Sequence, residues 1–135
     1  MTKRRKATEV HRARVVAFAK GGDGVAHLSI GDRRKAIFVP GTVPGDEVDL
    51  LVDGRRGRVL RIAKASDQRV EPPCLHAGSC GGCDWMHVNI RAQREARTKL
   101  VEQALERAGL KVPEIQPHDA PRVEHYRSRA RFAIK

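Results

Sequence analysis

The three cysteines of this chain lie within one short stretch and could bind a metal. Cys74 is followed by Cys80 and Cys83, and Gly81 and Gly82 separate the last two. Two thiolates three positions apart can hold one metal centre from a single turn, and the glycines let backbone N–H groups approach the sulfur atoms. An odd number of clustered cysteines in a reducing compartment indicates metal or redox chemistry and not disulfides. The spacing therefore predicts a metal site.

The residues alone leave the kind of metal site open. An iron–sulfur cluster prefers four thiolates, and this chain has three. A zinc site could use the three cysteines and a histidine, with His87 or His76 as the fourth ligand. A redox pair would need only Cys80 and Cys83, but the βαβ context of that motif is missing here. Zinc and iron–sulfur chemistry both remain as alternatives.

The charge of the chain indicates a polyanionic partner. Lys and Arg total 27 against 16 Asp and Glu, which gives a net charge of +11, and residues 1–65 carry +8 of it. Such a field favours RNA or DNA, whereas no basic amphipathic helix suggests a membrane surface. A solvated basic rim is the alternative for any single side chain. The candidate phosphate contacts are Arg12, Arg14, Lys20, Arg33, Arg34, Lys35, Arg55, Arg56, Arg58 and Arg61, which could line one face.

Residues 9–66 have the pattern of a small all-β unit. Short runs of alternating apolar residues are separated by turn signals such as "GGDG" and two Pro-Gly pairs, at intervals of about 8–12 residues. Five such strands predict a closed or nearly closed barrel. In the fourth, Val48, Leu50 and Val52 fall on one face. We expect Phe18 and Phe38 in its core, so the barrel should contact RNA backbone more than splayed bases.

The rest of the chain predicts a loop, a helix and an incomplete second domain. Residues 67–88 hold the cysteines, and a structural helix is expected from Arg91 to Ala108, capped by Asn89 and ended by Gly109. The closing segment, residues 126–135, is predicted as a strand that lacks a partner. Residues 1–8 are a basic tail with neither a signal peptide nor a membrane span behind it, so we expect a cytoplasmic protein. The histidines show no pairing with carboxylates that would indicate an active site.

These motifs together resemble a known family. The layout "GGDGVAH" followed by "PGTVPGDEV" in a basic five-stranded barrel resembles a TRAM domain, an OB-like RNA-binding module. With the C-x5-C-G-G-C pattern and an alanine-rich helix behind it, the chain resembles the N-terminal part of the bacterial 23S rRNA (uracil-5-)-methyltransferases. The closing "YRSRARFAIK" is similar to the first strand of that family's central domain. The resemblance covers the chain past its basic tail.

The resemblance implies a fold and cofactors. The fold would be mainly β with an α+β extension: a TRAM barrel over 9–66, a cysteine-rich metal loop over 67–88, then one helix and the start of a second domain over 89–135. A [4Fe–4S] cluster would be bound by Cys74, Cys80 and Cys83, with a fourth cysteine beyond Lys135. His76 and His87 would then be neighbours of the cluster and not ligands.

The resemblance also implies an activity and partners. The family transfers a methyl group from S-adenosylmethionine to C5 of a uridine, and its nucleophilic cysteine and base are not among these 135 residues. No catalytic residue is therefore assigned here. The expected partners are RNA, in particular ribosomal RNA, and a separate or missing methyltransferase domain. A stand-alone RNA-binding adaptor with structural zinc is the alternative.

Overall fold

The fold begins with five strands and continues to one helix, in the order that the sequence predicts. We describe residues 9–131 of a computed structural model; the basic tail and residues 132–135 lie outside the described residues. The elements are β1 (Val10–Phe18), β2 (Gly24–Ile30), β3 (Arg33–Val39), β4 (Glu47–Asp53), β5 (Arg56–Lys64) and α1 (Ile90–Arg107).

The five strands close into a barrel. Their order around it is β1-β2-β3-β5-β4, and β4 returns to β1. All neighbours are antiparallel except β3 and β5, which run parallel and meet where Phe38 lies opposite Arg56. Since closure removes every sheet edge, the barrel needs no further strand. The predicted five-stranded OB-like barrel is confirmed.

The barrel core is made of small aliphatic side chains. Val48 and Leu50 are fully buried and Val52 packs against them, as the alternation in β4 predicts. Val59 of β5 packs against this core, and its buried residues, which come from β1 to β4, are Ala13, Val15, Ala26, Leu28, Ile37, Val39, Val48 and Leu50. Because this interior is narrow, it is filled by Val, Ile, Leu and Ala and holds no aromatic ring.

The prediction that Phe18 and Phe38 lie in the barrel core is wrong. Phe18, at the end of β1, packs in a second apolar cluster outside the barrel interior. Phe38 is half-buried and lies between Ile37 and Val39, which are both fully buried. Because neighbouring side chains of a strand point to opposite faces, Phe38 faces outward.

The second apolar cluster joins the barrel to the start of α1. Val43, Val88 and Ala92 are buried together, and Phe18 and Trp85 pack against them. Ala92 is the one buried residue of α1 in the part of the chain that is described. The predicted helix is confirmed, but its apolar stripe beyond the first turn is not buried by the described residues.

Both ends of α1 have the expected caps. The side-chain oxygen of Asn89 accepts a hydrogen bond from the Ala92 N–H at 2.8 Å. At the other end Gly109 has a φ of +73°, a left-handed conformation that glycine adopts without strain. Leu110 N–H then donates to the Leu105 carbonyl at 3.0 Å and closes the last turn.

The strand expected at the end of the chain is not formed over its described part. Residues 126–131 have no regular secondary structure, and residues 132–135 are outside the described range. A single strand gains little without a partner, and the closed barrel offers it no edge. Within residues 9–131, no helix has the length and apolar character that crossing a membrane requires.

Candidate metal loop and nucleic-acid interface

The cysteines lie on a loop whose two ends are held together. We name residues 71–86 the cysteine loop. The Val70 N–H donates to the His87 carbonyl at 3.0 Å, and the Asn89 N–H donates to the Gln68 carbonyl at 2.9 Å. The chain therefore enters and leaves the cysteine loop at one point, next to the start of α1.

Asp46 fixes the first end of the cysteine loop to the barrel. Its fully buried carboxylate accepts hydrogen bonds from the N–H groups of Val43 and Ser66, each at 2.8 Å. Arg69 donates to the same carboxylate at 2.6 Å and to the Gly41 carbonyl at 2.9 Å. Burial opposes the charged form, but Arg69 and the two N–H groups outweigh it and lower the pKa of Asp46. Sequence reasoning missed this group, because "PGDEV" reads as a turn followed by a strand.

Trp85 fixes the second end of the cysteine loop. Its indole N–H donates to the Gly22 carbonyl at 2.9 Å, and its ring lies 4.6 Å from that of Phe18. The Gln93 amide on α1 donates to the Trp85 carbonyl at 3.0 Å. Trp85 is thus bound to the turn between β1 and β2 and to α1 at once, two residues after Cys83. The position of the single tryptophan beside the last cysteine was the available signal for this role.

The three cysteines lie in the exposed part of the cysteine loop. All are free thiols; Cys74 is half-buried, and Cys80 and Cys83 are exposed. Turns shape the backbone here, since the Ala77 N–H donates to the Cys74 carbonyl at 3.1 Å and the Cys80 N–H to the His76 carbonyl at 2.9 Å. Among residues 9–131, no three His, Cys, Asp or Glu side chains are arranged to hold a metal ion. Three cysteine thiols are chemically suitable ligands for a metal, but in this structure they do not converge on one metal position.

The histidine proposed for zinc faces the barrel. The Nε2 atom of His87 lies 3.4 Å from the Thr42 carbonyl oxygen, and the residue is half-buried. Burial lowers the pKa of His87, which favours the neutral ring. The other candidate, His76, is exposed and contributes its backbone carbonyl to the turn that holds Cys80. The structure therefore brings neither histidine together with all three cysteines.

The ten candidate phosphate contacts lie on several parts of the barrel. They are spread over β1, β3, β5 and two turns of the closed barrel, and their role in binding RNA stays a prediction. Arg12 donates to Asp49 at 2.8 Å and Arg61 donates to the same carboxylate at 2.6 Å. Hydrogen bonds from Arg12 and Arg61 lower the pKa of Asp49 to about 2. Asp49 therefore partly neutralises the positive charges of Arg12 and Arg61. The other phosphate-contact candidates have different surroundings.

A second group of basic residues gathers around Phe38. The Arg55 guanidinium lies 5.4 Å from the centre of the Phe38 ring, within the range of a cation–π interaction. The Phe38 N–H also donates to the Arg55 carbonyl at 2.8 Å. Arg56 lies 3.5 Å from Asp23 and thereby joins the β4–β5 turn to the β1–β2 turn.

The remaining basic candidates project into solvent. On the same outer surface as Phe38, Arg34 contacts the His27 ring at 3.3 Å. Each of the other candidates is exposed and makes no ion pair among residues 9–131; they are Arg14, Lys20, Arg33, Lys35 and Arg58.

Comparison with known proteins identifies relatives of this chain. The chain is 38% identical over 126 residues to the 23S rRNA (uracil(1939)-C(5))-methyltransferase RlmD of Halomonas elongata. It is 39% identical over 127 residues to an uncharacterized RNA methyltransferase of Gloeobacter violaceus, and 35% identical over 130 residues to one of Thermotoga maritima. The chain is homologous to a section of RNA methyltransferases.

The homology covers most of this chain but a small part of its relatives. The three alignments include 89–91% of the chain and span 26–28% of the methyltransferase relatives. No family model matches the chain. The suspected relationship to the 23S rRNA (uracil-5-)-methyltransferases is confirmed at the level of homology to a part of these proteins.

Proposed function

We propose that this chain is the RNA-binding, cluster-carrying N-terminal portion of an S-adenosylmethionine-dependent RNA (uracil-C5) methyltransferase of the cytoplasm. The observation that carries the proposal is homology to RNA methyltransferases over about nine-tenths of the chain. A closed barrel with a surplus of basic side chains fits the task of binding RNA. Methyl transfer, the methyl donor and ribosomal RNA as substrate belong to the proposal for the whole enzyme.

The cysteine loop is proposed to hold a [4Fe–4S] cluster. Cys74, Cys80 and Cys83 supply three thiolates of the kind that such clusters use, and none of them is fully buried. Because Asp46 and Trp85 fix the two ends of the loop, a cluster there would be held at a constant distance from the barrel. Its role would be structural, as a cross-link that orders the loop, and a fourth ligand would come from outside the described residues.

RNA binding is tested by the salt dependence of the affinity of the full chain. The measurement is fluorescence anisotropy with a labelled ribosomal RNA fragment at several salt concentrations. If phosphate contacts dominate, log K falls linearly with log salt, with a slope of about −0.7 per contact for single strands. Replacing Arg14 or Arg58 by Gln should reduce the slope by about one contact each, whereas Arg107→Gln at the end of α1 should leave it unchanged. A slope near zero would contradict the proposal.

The cluster is tested by metal content after anaerobic preparation. We expect iron and sulfide with a visible charge-transfer band, and we expect Cys80→Ser and Cys83→Ser to lose both. Ser79→Ala in the same loop is the matched control and should retain them. A colourless protein with zinc that is lost in His87→Ala would refute the iron–sulfur assignment and support the zinc-bound adaptor.

A further inference from the structure

We infer that the outer surface of β2 and β3 binds an unpaired RNA base by stacking at Phe38 and Arg55. The inference rests on the proposed RNA-binding function and specifies how one site of the barrel acts. It differs from the expectation drawn from the sequence, which assigned Phe38 to the core and left the barrel with phosphate contacts alone. The site consists of one outward ring, the guanidinium beside it and the polar residues along the same surface.

The ring of Phe38 points outward from the barrel. Ile37 and Val39 on either side of it are fully buried, so the ring is the outward side chain of that part of β3. Val25 lies directly opposite on β2 and is also half-buried. An aromatic ring with an aliphatic neighbour on the outer surface of a small barrel is a stacking platform that any base can use, since every base has a π face.

Arg55 lies beside the Phe38 ring. Its guanidinium lies 5.4 Å from the ring centre, and Arg55 is exposed. The backbone is held as well, because the Phe38 N–H donates to the Arg55 carbonyl at 2.8 Å. Guanidinium planes stack on aromatic rings and on RNA bases alike. A base can therefore stack against the ring and guanidinium together, with the guanidinium also attracting the adjacent phosphate.

Two further basic side chains flank the Phe38 ring. Arg56 sits next to Arg55 and pairs with Asp23 of the β1–β2 turn at 3.5 Å. Arg34 lies four residues before Phe38 on the same side of β3, about 13 Å away at ordinary strand spacing. Arg34 contacts the His27 ring at 3.3 Å and is otherwise exposed. The platform thus lies between basic groups that can reach the phosphates of neighbouring nucleotides.

The platform lies on the surface formed by β2, β3 and the turns beside them. In five-stranded barrels of this topology, the surface of strands 2 and 3 and the turns that flank it are suited to oligonucleotides. Here the β1–β2 turn and the β4–β5 turn are joined by Arg56 and Asp23 beside the platform. Single-stranded RNA is the ligand that needs both a stacking surface and a positive rim, which neither an acidic peptide nor a duplex backbone requires.

The test compares single-stranded and duplex RNA binding by the full chain. The probes are a fluorescently labelled single-stranded oligouridylate and an RNA hairpin stem, measured by anisotropy. Phe38→Leu keeps an apolar side chain but removes the π face, and Arg55→Lys keeps the charge but removes the plane. We expect each to weaken binding of the single strand by about 5- to 100-fold, with the hairpin stem changed by less than about 2-fold.

The structure offers a matched control. Tyr126 and Arg127 form a similar pair outside the strands of the barrel, with the guanidinium 5.5 Å from the ring centre. Tyr126→Leu should leave the affinity for the oligouridylate unchanged. A purine analogue whose emission is quenched by stacking, placed in the oligonucleotide, should lose its quenching in Phe38→Leu but not in Tyr126→Leu. Circular dichroism of each variant confirms that the barrel is folded.

The outcomes separate this inference from the proposed function. If the parent chain binds neither RNA, the RNA-binding function itself fails. If the parent binds and Phe38→Leu and Arg55→Lys bind the single strand as the parent does, the stacking site is refuted and RNA binding stands. Equal losses for single strand and stem in Phe38→Leu would also overturn the inference, because a stacked base would then have no part in the loss.

Discussion

Replacement of Asp46 by Asn should strongly destabilise the junction between barrel and cysteine loop. The carboxylate is fully buried and accepts from the Val43 and Ser66 N–H groups and from the Arg69 side chain. An Asn amide has one accepting oxygen, and its NH2 group must face one of these three donors. Arg69, whose side chain is 20% exposed, would lose its negative partner.

The size of the effect follows from the burial of this pair. Removing one partner of a buried ion pair costs about 3–5 kcal/mol, and we expect about 3 kcal/mol because Asn retains one acceptor. The free energy of unfolding of an ordinary domain is about 5–15 kcal/mol, so a loss of this size is a large fraction of the stability. With urea slopes of about 1–3 kcal/mol per M, the unfolding midpoint should fall by roughly 1–3 M.

The chain contains a matched control and a built-in probe for this experiment. Asp49 also accepts from two arginines, but Arg12 and Arg61 are 59% and 65% exposed, so water replaces the lost contacts. Asp49→Asn should therefore move the midpoint far less. Trp85 fluorescence reports the junction, since its indole N–H is bound to the Gly22 carbonyl, and circular dichroism reports the barrel. Equal midpoint shifts for the two Asn variants would refute the assignment of Asp46 as the central contact.

Two further predictions concern packing and pH. A Cβ atom at Gly24 would overlap the Thr42 hydroxyl and lie 2.8 Å from the Val15 side chain, so Gly24→Ala should cost about 1–3 kcal/mol by urea unfolding. Gly21→Ala, with no heavy atom within 4 Å of its Cβ, should be near neutral, and similar losses in both would contradict the steric reason. Because the pKa of Asp46 is lowered on folding, its stabilisation is complete above the unfolded pKa of about 4 and is lost as pH falls through the folded value. The stability difference between parent and Asp46→Asn should therefore narrow on acidification from pH 4, and a difference independent of pH would contradict the lowered pKa.

The elements of this fold could be predicted because their signals are local. Turn glycines and prolines separate the strands, and Asn89 and Gly109 mark the two ends of α1 within a residue or two. The direction of Phe38 could not be predicted in this way. Phe38 lies in the run "AIFV", where every residue is apolar. The sequence therefore does not show which of these side chains point into the barrel and which point outward.

The candidate site was predicted in part for a similar reason. The spacing of the cysteines identifies three donors on one loop, and spacing alone carries no information about whether they converge. Asp46 binds Ser66 and Arg69, which lie 20 and 23 positions away. Trp85 binds Gly22 across 63 positions. Contacts over such separations depend on the closed barrel and leave no periodic pattern in the sequence.

The parallel meeting of β3 and β5 has a consequence for how the barrel folds and opens. The two strands touch where Phe38 lies opposite Arg56, whereas β2 pairs with β3 along its whole length. Since this seam has one paired position where every other strand pair has three or more, few contacts are gained when it closes during folding, and it is the weakest junction of the barrel. It is also the part of the barrel that should exchange its amide hydrogens first. A nucleotide stacked at Phe38 would bind only the closed seam, and by linkage it would slow exchange of the Phe38 amide.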